Sequence, residues 1–284
     1  MLSFSKSAQI LKIPDLRRKV FIIAVIFVFF RLLANIPIPG VNAEALRQLF
    51  SSSQLLGFVN LFSGGALANL SIVMLGLGPY ITAIIIMQLL TMVFPKLKVI
   101  YYQEGERGRA KFYRYSRYLT VPLAALQGYG FLTILIRQSV IDPLTLFQWG
   151  TVLAVIIAGS IFLMWLGELI SEKNVGNGVS LLILAGIVSR LPFDIRQAMF
   201  TYTPDQLFTY IGFVLVSLAV IVGVVYITEA QRNIPITYAR RVRGTRMYGG
   251  VSTYLPMRVN NAGVIPIIFA LSILLFPGII ANFF

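Results

Sequence analysis

The sequence predicts an all-α polytopic membrane protein, and three observations lead there. Hydrophobic residues make up 57% of the 284-residue chain and charged residues only 12%, with a mean hydropathy of +0.82; soluble domains carry about 25% charged residues. Apolar runs approaching the roughly 20 residues that cross a bilayer recur along the chain. The basic residues gather in alternate connections between those runs.

The spans read as 20–35, 71–94, 118–137, 147–169, 179–191, 207–228 and 259–281, the fifth being short. Segment 1–19 is amphipathic and basic, with five basic residues against Asp15. No small-residue cleavage site follows the first apolar run, so this reads as a cytoplasmic N-terminus and not as a removable signal. Segment 95–117 holds seven basic residues against Glu104 and Glu106, and segment 231–258 holds six with no acid. Together these three segments contain 18 of the 24 lysines and arginines. Connections 36–70, 138–146 and 192–206 are close to neutral. With seven spans all three basic segments fall on one side, and the positive-inside rule makes that side cytoplasmic.

The chain has no cysteine and no histidine, and only ten aspartates and glutamates. Disulfides, thiolate metal sites and His-based catalysis are thereby excluded. No enzyme, no cofactor and no metal site is expected.

The apolar connection 36–70 is unusual, because a solvated loop of that length is ordinarily more polar. Its run Gly57–Ser71, GFVNLFSGGALANLS, is uncharged, broken at Gly64-Gly65 and too short to span. Two readings fit. It folds back into the bundle, where protein can satisfy irregular backbone, or it lies as a hairpin at the outer interface. Asn35-Ile-Pro-Ile-Pro-Gly40 ends the first span as a turn.

Gly76, Gly78 and Pro79 loosen the second span or admit a close neighbour. Ile81 and Ile85 share a face of it; ordinary packing and a stiff apolar constriction are both open there. Tyr102–Lys111 is a charged loop whose glycines lack the spacing of a phosphate-binding turn. Glu168 and Glu172 share a helix face at the end of the fourth span, a wet position unsuited to a catalytic pair. Arg240–Gly250, rich in arginine, glycine and tyrosine, suits phosphate, whether of lipid or of RNA.

Several longer motifs resemble the SecY family of bacterial protein-conducting channels. They are FSGGAL at 62–67, PYITAIIIMQLLT at 79–91, EGERGR at 104–109, MWLGELISEKNVGNGVS at 164–180, GIVSRLP at 186–192 and YARRVRGTRMYGGVSTYLPMRVNNAGVIPIIF at 238–269. They run collinearly along nearly the whole chain.

The resemblance implies a SecY-like helical bundle, here the first five-helix half plus part of the inverted second half. It implies a re-entrant plug over 41–68, including Phe58, Asn60, Phe62, Gly64 and Gly65. It implies a pore ring of apolar side chains at Ile81, Ile85, Val179, Ile183 and Ile268. All five are β-branched and stiff at χ1. A lateral gate is implied beside the second, third, seventh and eighth spans, with Gln88, Thr120, Gln127 and Asn260 as its polar residues. Arg107, Arg109, Lys111, Arg240, Arg241, Arg243 and Arg246 are implied to contact the ribosome (through rRNA) or the SecA motor ATPase, although Thr245 stands where the family often has another arginine. SecE- and SecG-like small subunits, signal peptides, nascent chains and membrane lipids are the other implied partners. The implied location is the bacterial cytoplasmic membrane. The family has ten spans, so a chain stopping at Phe284 reads as truncated, or as an incomplete nascent chain, after the seventh. The competing function is a secondary transporter for a small solute; broken helices suit it, but it would need an ionisable residue in mid-span.

Overall fold

The structure, a computed structural model, describes residues 13–38, 60, 63, 65–67, 69–237, 241–243, 246–248 and 252–260. Helix α1 runs over Pro14–Ala34. It starts on a proline, whose missing N–H costs nothing in the first turn. Asp15 lies in that turn and pairs with Lys19 at 3.1 Å. The Asn35 amide donates to the Arg31 carbonyl at 2.9 Å and helps close the last turn.

The second span was expected as a helix from residue 71. Helix α2 instead covers Gly78–Val93, and residues 72–77 are turns. Pro79 explains the late start: a helix running through it would lose a backbone bond and clash with the preceding turn. At Phe94 the chain bends by 114° into α3, Pro95–Tyr102. Phe94 is extended, as the residue before a proline prefers.

Helix α4, Gly105–Arg137, is 33 residues long and starts well before the expected 118. The charged loop has become helix, and α3 folds back along it. A Cβ on Gly108 would overlap the Ile100 carbonyl oxygen, so glycine permits that approach. Helix α5, Leu146–Ser171, opens with a capping box. The Thr145 N–H donates to Gln148 Oε1 at 2.8 Å, and the Gln148 N–H donates to Thr145 Oγ1. Helix α6, Gly178–Val188, is capped by Asn177, which accepts from the Ser180 N–H at 3.2 Å. After a turn at Ser189 and Arg190 comes α7, Leu191–Phe200.

The described chain divides into two compact units, the first ending at Arg196. In the first unit two apolar clusters form the core. One joins Ile38, Phe131, Leu132, Leu135, Val140 and Ile156; the other joins Ile23, Ile26, Phe30, Leu163, Leu166 and Leu182. The turn segment serves both. Leu67, Leu70 and Met74 enter the first cluster, while Ala66, Val73 and Leu77 enter the second.

In the second unit α8, Leu207–Glu229, is apolar along its length with no residue buried. A helix apolar all round belongs in a membrane or in a larger core. The basic segment 231–258, read as a cytoplasmic loop, holds two antiparallel strand pairs. Strand β1, Gln231–Thr237, pairs with β4, Ser252–Arg258, from Gln231↔Arg258 to Thr237↔Ser252. Between them β2, Arg241–Arg243, pairs with β3, Arg246–Tyr248.

Among the described residues four helical stretches are long and apolar enough to cross a bilayer: α4, α5, α6 with α7, and α8. The bent pair α2–α3 makes a fifth. Helix α1 has the length, but its uncharged run between Lys19 and Arg31 is only 11 residues. The expected seventh span, but for its first two residues, lies outside the described residues.

Gly159 of α5 meets the turn segment so closely that a Cβ would overlap the Ile72 carbonyl oxygen. Gly159→Val should therefore destabilise the bundle by about 1–3 kcal/mol. Gly150→Val, at a position with nothing within 4 Å of the added Cβ, should change little. Thermal unfolding in detergent micelles, followed by circular dichroism, compares the two.

Candidate functional site

Ile81 and Ile85 project from α2, one turn apart; Val179 and Ile183 do the same from α6. Ile85 is buried and the other three are half-buried. Ile81, Val179 and Ile183 all pack against the cluster that α1, α5 and the turn segment share. The first unit thus brings four of the five expected ring residues to helices bordering one apolar core. Ile268 lies outside the described residues.

Helix α6 is seated by glycines. A Cβ on Gly178 would overlap the Gly167 carbonyl oxygen, and Val179 Cγ2 lies 3.3 Å from where a Gly167 Cβ would stand. The Ser171 hydroxyl donates to the Gly167 carbonyl at 3.0 Å and accepts from the Gly178 N–H at 2.9 Å. Helices α5 and α6 are therefore locked together beside Val179.

The described part of the expected plug is a hydrogen-bonded turn. The Ser63 hydroxyl donates to the Asn60 carbonyl at 3.0 Å and accepts from the Leu67 N–H at 3.2 Å. The Gly65 N–H donates to the same Asn60 carbonyl at 2.9 Å. Gly65 has φ +86°, a left-handed conformation that favours glycine. The Arg190 stem lies 3.7 Å from its would-be Cβ. Leu70 also has positive φ, at 41°. Its buried side chain and its carbonyl, which accepts from the Ile38 N–H at 2.9 Å, hold it there. Pro37 and Ser71 form an isolated antiparallel bridge, and the Ile72 N–H donates to the Ile36 carbonyl at 3.1 Å. Asn60 is buried. Phe58, Phe62 and Gly64 lie outside the described residues.

Of the polar residues assigned to the gate, Thr120 is fully buried, its hydroxyl donating to the Ser116 carbonyl at 2.8 Å. Gln88 is half-buried on α2, and its carbonyl accepts from the Thr91 hydroxyl at 2.6 Å. Gln127 is half-buried on α4, its Oε1 4.0 Å from where a Gly78 Cβ would stand. Asn260 is half-buried at the end of the described hairpin. Arg107, Arg109 and Lys111 are exposed near the start of α4, and Lys111 pairs with Glu104 at 3.1 Å. Arg241, Arg243 and Arg246 lie in β2 and β3; Arg240 is outside the described residues.

One constellation escaped the sequence reading. Arg117 Nε of α4 lies 2.6 Å from Glu168 Oε1 of α5, and buried Tyr80 on α2 stands near enough for its phenol to interact with the same carboxylate. Glu168 was read as a residue at a wet helix end, yet its side chain is only 21% exposed. The pairing joins residues 51 apart. The weak signal available was a carboxylate flanked by apolar residues on a span. Among the described residues no acidic cluster could hold a metal ion.

Among the described residues, four helical stretches long and apolar enough to cross a bilayer, with the bent pair α2–α3 as a fifth, define a multi-pass helical membrane protein. The SecY family model matches residues 71–284. The SecY protein translocase subunit of Corynebacterium glutamicum is 43% identical over 287 residues, covering 96% of this chain and 64% of that protein. The Thermotoga maritima subunit of the same name is 43% identical, covering 95% and 65%. The solved structure of a protein-conducting channel superposes with a TM-score of 0.60 at 20% identity, over 92% of this chain and 57% of that one. Sec61 in a canine ribosome–channel complex gives 0.57 at 20%, over 92% and 57%. The chain belongs to the SecY family, and it spans about two thirds of the length of the curated relatives it matches.

Ser63 holds two bonds of the turn around Gly65. Ser63→Ala should cost about 1 kcal/mol and raise exchange at the Leu67 amide about fivefold. Hydrogen exchange with mass spectrometry reads it directly.

Proposed function

We propose that this chain is the central subunit of a protein-conducting channel. It passes unfolded polypeptides across the bacterial cytoplasmic membrane and releases hydrophobic helices into it. The carrying observation is that Ile81 of α2 and the i, i+4 pair Val179 and Ile183 of α6 pack against one core beside a non-helical segment, with buried Ile85 one turn on from Ile81.

An unfolded chain carries peptide groups that hydrocarbon cannot hydrate, so it needs a protein-lined path. A closed path must also exclude ions, which a dry apolar constriction does. Ile81, Ile85, Val179, Ile183 and Ile268 form that ring. Stiff side chains without hydrogen-bonding groups grip any passing sequence alike. The segment 41–68 plugs the outer side. A hydrophobic stretch of about 20 residues prefers lipid and leaves through a lateral seam beside Gln88, Thr120, Gln127 and Asn260.

The N-terminus is cytoplasmic, and so are the basic segments 95–117 and 231–258. Arg107, Arg109, Lys111, Arg240, Arg241, Arg243 and Arg246 meet the ribosome, as the likeness to Sec61 in a ribosome–channel complex supports, or the motor ATPase SecA. SecE- and SecG-like subunits complete the assembly, anionic lipid surrounds it, and signal peptides and nascent chains are its substrates. The chain itself performs no enzymatic step.

Ile81→Asn and Ile183→Asn place a hydratable amide in the ring. In vesicles holding a complete channel subunit, each should raise ion conductance by about tenfold, the effect of lowering the barrier by about 1.4 kcal/mol. Both should also let weakened signal sequences pass. Unchanged conductance and unchanged stringency in both variants would overturn the ring.

A further inference from the structure

We propose that Glu168, bonded to Arg117 and facing Tyr80, is the positioning residue of the constriction: it fixes the helix bearing Ile81 and Ile85 against the hairpin bearing Val179 and Ile183. The inference rests on the ring assignment above and names what holds the ring in register.

Three helices each bring one polar group to one point: Tyr80 from α2, Arg117 from α4 and Glu168 from α5. Two of them are one step from the ring or its support. Tyr80 immediately precedes Ile81. Glu168 immediately follows Gly167, the glycine against which Val179 packs. The Ser171 hydroxyl ties the Gly167 carbonyl to the Gly178 N–H, so a displacement of α5 at Glu168 is carried to Val179.

Apolar packing alone does not set this geometry. The hydrophobic effect is non-directional, and α2, α5 and α6 present apolar surface on most sides. A helix can turn on its axis and still bury isoleucines, because α2 carries Ile84 and Ile86 beside Ile85. Such a turn would replace the ring side chain with a neighbour. A charge-assisted bond is short and directional, and it fixes rotation where packing does not. Arg117 sits on α4, the helix running beside both α2 and α5, and bonds Glu168 at 2.6 Å, with the phenol of Tyr80 close to the same carboxylate. Glu172, on the same face of α5's end, is exposed and makes no ion pair with a described residue.

The absence of cysteine allows a direct test. Leu89→Cys on α2 and Leu184→Cys on α6, both exposed positions, take spin labels. Double electron–electron resonance then reads the α2–α6 distance in vesicles of phosphatidylethanolamine and phosphatidylglycerol. The parent should give a single sharp distance. Glu168→Gln should lose it, Arg117→Lys should keep it, and Glu172→Gln should leave it untouched. The charge swap Arg117→Glu with Glu168→Arg should bring the sharp distance back, a rescue that a mere loss of folding would not show. A sharp distance in Glu168→Gln, or a swap as broad as its single variants, overturns the proposal. If Ile81→Asn leaks while Glu168→Gln stays sharp, only the role of Glu168 fails. If Glu168→Gln broadens while ring substitutions leave conductance unchanged, the constriction fails and the positioning role falls with it.

Discussion

Hydrocarbon offers no hydrogen bonds, and that single constraint organises the first unit. A backbone inside a membrane must find its partners in protein. Most of the chain does so as helix. The segment ending at Leu77 cannot, because Gly76 and Leu70 take positive φ and Pro79 stops α2 from extending backwards. It meets the demand in another way. Its amides bond to carbonyls three to five residues back, and residues 36–38 bond across to 70–72. A non-helical strip thus enters the bundle with its backbone bonds met largely by turns and by the end of α1.

The rest of the bundle is arranged around that strip. Its side chains face two ways, supplying Leu67, Leu70 and Met74 to one cluster and Ala66, Val73 and Leu77 to the other. Helix α5 can lie against its backbone only because residue 159 is glycine. The same economy of volume seats α6 on α5 through Gly167 and Gly178. Small residues that bring backbones together are the usual device for packing helices in lipid, where apolar surface alone gives no preference for helix over solvent. The place of Val179 is a consequence of these approaches, since it stands where it does because Gly167 leaves room.

Sequence patterning carried the helices of simple composition. The expected bounds of the fourth and sixth spans differ from α5 and α8 by at most two residues at either end. It carried the turn signals too, since Gly78 and Pro79 were read as loosening the second span. It did not carry the long extension of α4, because the thirteen residues 105–117, five of them basic, look like a loop until α3 is there to pack on Gly108 and Phe112. The hairpin was hidden for a related reason. Pro235 and Pro256 and the scattered arginines blur the alternation that marks a strand, and pairing Gln231 with Arg258 is a long-range fact. The Arg117–Glu168–Tyr80 contact was equally illegible. Only its apolar flanks distinguish Glu168 from Glu172, four residues on, and they name no partner; the fold alone brings Arg117 to one of them.

That contact also has a magnitude suited to a part that must move. Exposed or half-exposed ion pairs contribute about 0–1 kcal/mol, and Arg117 is 48% exposed against 21% for Glu168. A bond of that size orients two helices without welding them. On the channel reading, what opens the bundle is an incoming hydrophobic segment. Each Leu, Ile, Phe or Val in such a segment gains about 0.3–0.6 kcal/mol at the centre of a bilayer. A handful of these residues outweighs the brace, whereas a polar segment, gaining nothing from lipid, does not. A brace several times stronger would hold the helices shut against the segments the seam has to release. Apolar packing without any brace would leave α2 free to rotate its ring residues out of place. The pairing of a modest directional bond with stiff apolar side chains reconciles a closed state of defined geometry with a barrier that hydrophobic substrates can overcome.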